Sequence, residues 1–218
     1  MLNNINEFVL IIVPLLFAVT IHEVAHGYVA YRMGDSTAKM AGRLSLNPVR
    51  HLDPVGSFFL PIILYFSGSP FLFGYAKPVP VNFANLYDYR RGTIFVGAAG
   101  VVANLICAVL SGLLFQFLIY AASLWHGSFL QSLVIPFLNM LNYSVIINLV
   151  LAVFNMIPIP PLDGSRILAM FLPESLRIPF QRIERYGMII IILLLMTKSL
   201  GKIIFFFVTP LCNLLLGT

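Results

Sequence analysis

Long apolar runs alternate with short polar stretches along this chain. Three runs, at about 8–31, 93–120 and 131–156, each exceed the ~20 helical residues that cross a hydrocarbon core. A fourth begins near Gly187, and Lys198 and Lys202 interrupt it on either side of Gly201. That pattern fits either one long kinked helix or a helix followed by a second one lying in the membrane interface. Between the first and second runs the periodicity changes. MAGRLSLNPV, from Met40, alternates polar and apolar residues as a short strand does. In GYAKPVPVNF, from Gly74, Pro78 and Pro80 stand two apart, which suits an extended edge and no helix. The intervening DPVGSFFLPIILYF is short and interrupted by Pro61. These elements predict an all-α polytopic membrane protein. Its bundle has about four to six transmembrane helices, with a small β-strand or re-entrant region between the first and second full spans. No repeat or low-complexity linker divides the chain. A single domain over 1–218 is expected, with a core at about 8–172 and a C-terminal helical segment at about 186–216.

Composition supports the membrane reading. Of 218 residues, 60% are apolar and only 10% charged, against roughly 45–50% and about 25% in soluble domains. The mean hydropathy is +0.95. A net charge of +5 raises the question of an anionic partner. The basic residues sit in short loops with no stripe interleaved with aromatics, so no nucleic-acid partner is expected. Their placement instead predicts topology. No Lys or Arg precedes the first run; Arg32, Lys39, Arg43 and Arg50 follow it. Lys77, Arg90 and Arg91 precede the second, and Arg166, Arg177, Arg182 and Arg185 follow the third. By the positive-inside rule the first span runs inward, the second outward, the third inward and the fourth outward. Both basic stretches flanking DPVGSFFLPIILYF then lie in the cytoplasm, which favours a re-entrant segment over the other readings, a peripheral hairpin or a full span. The N-terminus carries Glu7, no basic residue and no small-residue cleavage site, so the first run reads as a retained transmembrane helix. Cys107 and Cys212 lie in apolar runs without CxxC spacing, and no disulfide is expected.

The candidate chemistry lies inside the first span. IHEVAHGY places His22 and His26 one turn apart on one helix face, where both imidazoles reach one ion. Glu23 stands about 100° round, beside that ion and outside its ligand set. This is the mechanics of HExxH: two metal ligands and a general base. A chance match here is costly, because a charged residue at the centre of a membrane helix is unfavourable by about 2.5–3.5 kcal/mol. A third ligand must come from elsewhere, and Asp163 in NMIPIPPLDG stands out. Pro158, Pro160 and Pro161 end regular helix just before it, and irregular backbone at membrane depth is tolerated where it lines a polar cavity. The plainer reading of Asp163 is a cap on a helix starting at Ser165. Both motifs arrive on the cytoplasmic side in the predicted topology.

HEVAH in a membrane helix, followed late in the chain by NMIPIPPLDG, resembles the site-2 protease family of intramembrane zinc metalloproteases (peptidase family M50). GRLSLNPVRHLDPVGS, FGYAKPVPVN and GAAGVVANLICA resemble its compact bacterial and archaeal members, which lack PDZ and CBS domains. The resemblance implies one catalytic Zn2+ ion held by His22, His26 and Asp163, with Glu23 as general base. It places Asn104 in a GxxxN-like segment, either orienting a substrate carbonyl or oxyanion or bonding between helices. Asn155 would support Asp163 or the unwound backbone. His51 reads as a structural or surface histidine rather than a fourth ligand, and His126 beside Trp125 as an interface anchor. The implied function is hydrolysis of peptide bonds in transmembrane protein or peptide substrates, within the lipid bilayer of a cell (inner or plasma) membrane. The site would face the cytoplasm. An extended substrate would add to the strand-like stretches near 44–46 and 79–81. Two other classes stay open: a divalent-metal transporter and a catalytically inactive membrane scaffold. Oligomeric state also stays open, a homodimer included.

Overall fold

A computed structural model describes residues 2–59, 63, 76–124 and 128–217. Helix α1 (Leu2–Arg32) leads through a single-turn α2 (Thr37–Met40) and a 3-10 turn at Pro48–His51 to a π-helical turn at Pro54–Phe59. A further 3-10 turn, Phe83–Asn85, precedes α3 (Tyr89–Ser123), and α4 (Ser128–Met156) follows. Four shorter helices complete the order: α5 (Asp163–Phe171), α6 (Glu174–Arg182), α7 (Glu184–Met196) and α8 (Ser199–Leu216).

Among the described residues four helices are long and apolar enough to cross a membrane: α1 over Val9–Arg32, α3 over Tyr89–Ala122, α4 over Val134–Met156, and α8. In their most apolar windows only 17–39% of residues are buried within the protein. Most of their apolar surface, Leu113, Phe117 and Phe206 included, therefore points outward, where lipid covers it without cost. The molecule is a multi-pass membrane protein.

α1, α3 and α4 pack against one another; α8 lies against α3 and α4, and α5 does likewise. The main core joins Ala108, Val145, Leu149, Leu162, Ile191, Leu200, Ile204 and Val208. Helices come close where a side chain is missing: a Cβ on Gly112 would lie 2.9 Å from Leu215 Cβ, which lets α3 meet α8. Asp88 caps α3 by accepting the Arg91 N–H at 2.9 Å. α4 stops at Met156 because three of the next five residues are prolines. The chain then folds back tightly. A Cβ on Gly164 would collide with Met156 O, and one on Gly187 with Pro160 O.

One expectation needs correction. Among the described residues there is no β-strand. The 40–49 stretch begins in α2 and ends in a 3-10 turn, and 76–82 has no regular secondary structure, the Lys77 N–H bonding to His51 O at 2.9 Å. Pro78 and Pro80 have no N–H to give a ladder, and the Val79 N–H between them goes to the Glu23 carboxylate. The two stretches are joined by a side chain instead, Arg43 Nη2 donating to Lys77 O at 2.7 Å. In the final apolar run the break falls at Lys198, in the left-handed region at φ 58, and Gly201 lies inside α8. The run is therefore two helices. Of the expected re-entrant stretch (53–66), residues 60–62 and 64–66 lie outside the described residues, as do Trp125 and His126.

Candidate metal centre

The face of α1 turned towards α3 carries His22 and His26, 7% and 9% exposed. Their Nε2 atoms lie 3.0 Å apart. Asp163, the first residue of α5, brings Oδ2 to 3.2 Å from each. The positive end of that helix favours a carboxylate there. No other group of three His, Cys, Asp or Glu side chains converges in this way among the described residues.

The outer nitrogens fix what the inner ones present. His22 Nδ1–H donates to Asn104 Oδ1 and His26 Nδ1–H to the Val96 carbonyl, both at 2.6 Å. Carbonyl oxygens only accept, so each neutral ring carries its proton on Nδ1 and turns a bare Nε2 lone pair inward. Asp163 Oδ2, buried and without a hydrogen bond from the described residues, faces the same point. Two lone pairs and a carboxylate oxygen aimed at one another repel unless a cation or protons lie between them. A tetrahedral zinc ion with ligands at 2.0–2.1 Å has donors about 3.3 Å apart. The observed 3.0–3.2 Å fits such an ion.

Glu23 lies outside this trio. Its Oε2 accepts the Val79 N–H at 2.8 Å, so the segment between the two prolines lies against α1 beside this carboxylate. Gly27 makes that approach feasible, since a Cβ there would lie 2.7 Å from Val79 Cγ1. Asn104 is fully buried: Oδ1 meets His22, and Nδ2 donates to Ala18 O at 3.2 Å and Asn148 Oδ1 at 2.8 Å. Asn155 Nδ2 donates to Leu151 O within its own helix at 3.0 Å, and no described bond joins it to Asp163. His51 is buried, donates from Nε2 to Ser45 O at 2.7 Å, and stands outside the trio.

Two contributors went unread in the sequence, and a third, the glycine of the GxxxN-like segment, was given no role of its own. The Val96 carbonyl carries no side-chain signal. Asn148 does carry one, a lone amide in the apolar INLVLAVF. Gly100 stands four residues before Asn104, and a Cβ on it would lie 2.5 Å from both His22 Cε1 and His26 Nε2.

Residues 10–198 match the family described as peptidase family M50. The chain belongs to that family. The matched stretch of this M50 peptidase ends at Lys198, the left-handed residue that separates α7 from α8. Over 187 residues it is 37% identical to "Putative zinc metalloprotease YwhC" of Bacillus subtilis, covering 86% of this chain and 80% of the relative. Over 203 residues it is 30% identical to "Putative zinc metalloprotease Rip2" of Mycolicibacterium smegmatis, covering 92% and 72%. No solved structure gives a significant match. The family resemblance read from the two motifs therefore holds.

Proposed function

We propose that this M50 peptidase hydrolyses peptide bonds of membrane-spanning substrates at one zinc ion held by His22 Nε2, His26 Nε2 and Asp163 Oδ2. The convergence of those three atoms at 3.0–3.2 Å carries the reading. The chemistry that zinc supplies when bound is Lewis acidity towards a carbonyl and a lowered pKa, ~7, for attacking water. The protein's own groups do the rest. Glu23 is the general base. Its Oε2 is engaged by the Val79 N–H, so Oε1 is the atom assigned to take the water proton and pass it to the leaving amine. The scissile segment must be extended when it reaches the site, because helical carbonyls are already hydrogen-bonded and shielded. Asn155 is assigned to hold the last turn of α4 ahead of the proline-broken loop, through its bond to Leu151 O.

Substrates are transmembrane proteins or peptides, and the site faces the cytoplasm of a cell (inner or plasma) membrane. Support for that orientation is the basic sequence after α1, before α3 and after α4. The whole chain is assigned to one protease domain.

The reading is tested by replacing the base and the ligands separately. Glu23→Gln is expected to abolish cleavage of a reconstituted single-span reporter while zinc content stays at one per chain. His22→Ala and Asp163→Ala are expected to lose zinc as well. Full cleavage by purified Glu23→Gln protein rejects the mechanism, and zinc uptake into sealed vesicles without cleavage favours a transporter.

A further inference from the structure

The hydrogen bond to Asn104 that sets the inward nitrogen of His22 does not end at Asn104. Asn104 Nδ2 donates to Asn148 Oδ1 at 2.8 Å, and Asn148 Nδ2 donates to the Ser144 carbonyl at 2.9 Å. Both amides are almost wholly buried, so water cannot substitute for any of these partners. An amide has an oxygen end and a nitrogen end of nearly equal size, and its neighbours alone decide which way it faces. Here the decision is made at the far end. The Ser144 carbonyl only accepts, so Asn148 must turn its NH2 towards it and its oxygen towards Asn104. Asn104 must then meet that oxygen with its own NH2, which leaves its oxygen for His22. An imidazole facing that oxygen must carry its proton on Nδ1, and Nε2 is bare. Ala18 O, 3.2 Å from Asn104 Nδ2, pulls in the same direction over a longer bond.

From this chain of donors and acceptors we infer that Asn148 of α4 is a positioning residue for the metal centre, holding His22 in its ligating tautomer through Asn104. The inference rests on the proposed metal reading for its consequence, but not for the tautomer itself. Asn148 touches neither imidazole nor Asp163; its effect is relayed by one amide. The relay also ties α1, α3 and α4 together at the depth of the site, so the orientation of a ligand on the first span depends on a backbone carbonyl of the third. Turning the Asn104 amide over would bring its oxygen against the oxygens of both Ala18 and Asn148. Without Asn148, only the longer Ala18 bond opposes that turn.

Two substitutions separate positioning from bulk packing. Asn148→Leu keeps the branched shape and removes the acceptor. Asn148→Asp is isosteric; as the neutral acid that burial in the span favours, its hydroxyl replaces the NH2 as donor to Ser144 O and its carbonyl oxygen still faces Asn104. The full-length protein is purified in detergent and stripped of metal, and the tautomer of His22 is read from ring 15N shifts, with His22→Gln supplying the assignment. Zinc affinity is then measured by chelator competition, and the visible spectrum of the cobalt-loaded protein is recorded. Expected for Asn148→Leu is a His22 signal no longer confined to the Nδ1–H form, zinc binding weakened roughly 10–100-fold, and an altered cobalt band. Asn148→Asp is expected to restore all three towards wild type. An Asn148→Leu protein that only melts earlier, with tautomer, affinity and cobalt band unchanged, overturns the inference and leaves Asn148 a packing residue. An Asn148→Leu protein that does not fold moves the decision to Asn148→Asp: the wild-type His22 tautomer sustains the inference, and a changed one overturns it. Wild-type protein that binds no zinc rejects the metal reading, while the 15N shifts still decide the tautomer.

Discussion

Gly100 shows how little room the centre has. Its missing Cβ would stand 2.5 Å from atoms of both His22 and His26. Gly100→Ala must push both rings aside, and displacement on the order of 1 Å at a reacting centre costs about 10²-fold in rate. A loss of that order in kcat/KM is expected, with weaker zinc binding and unchanged helical circular dichroism; wild-type zinc affinity in Gly100→Ala would reject the crowding argument. Sequence made the donors themselves readable, because helical periodicity alone aligns His22 with His26, and the prolines before Asp163 mark an irregular site-lining loop. It could not reveal Val96, which contributes a carbonyl that any residue would supply. Asn104 was readable as a polar residue in a span, but its partners depend on how three helices rotate against each other.

Among the elements, the long helices were legible from apolar run length, with ends shifted by a few residues. The connection between α1 and α3 was not. Alternation and paired prolines imply extended chain, yet a strand also needs a neighbour with free donors, and local sequence does not disclose one. What anchors the second half of this connection is Asp35. It accepts from the Asn82 N–H at 2.7 Å, Asn85 Nδ2 at 2.9 Å, and the N–H and hydroxyl of Thr37 at 3.1 and 2.5 Å. Burial pushes the Asp35 carboxyl up, but these donors prevail and set it below its ordinary value of 3.8. The ionised form is thus preferred by the folded state. Its stabilisation is complete above the ordinary value and is lost as pH falls through the lower, folded-state value. Asp35→Asn is expected to cost roughly 1–3 kcal/mol at neutral pH. In thermal melts across acid pH, the gap between the two proteins should narrow towards the acid end; a constant gap rejects the linkage.

At the scale of the molecule, outward-facing apolar surface decides the environment, and this was the most legible property of the sequence. The last helix was the least, because Lys198 and Lys202 obscure where one apolar run ends and another begins. With the break at Lys198, α8 is 18 residues long and Phe206, 74% exposed, sits near its middle. A membrane-spanning α8 makes Phe206→Arg unfavourable by about 2.5–3.5 kcal/mol on insertion scales. Membrane-integrated yield should therefore fall for Phe206→Arg and hold for Phe206→Leu. Equal integration of both would place α8 outside the hydrocarbon.

The wide separation of the converging donors has a temporal consequence. His22 and His26 leave the ribosome roughly 140 residues ahead of Asp163, a lag of about 7–28 s at ordinary elongation rates. Throughout that interval two spans can thread into the bilayer while the third donor has yet to be translated. Under the proposed mechanism a growing chain is chemically silent towards neighbouring chains until nearly three quarters of it exists.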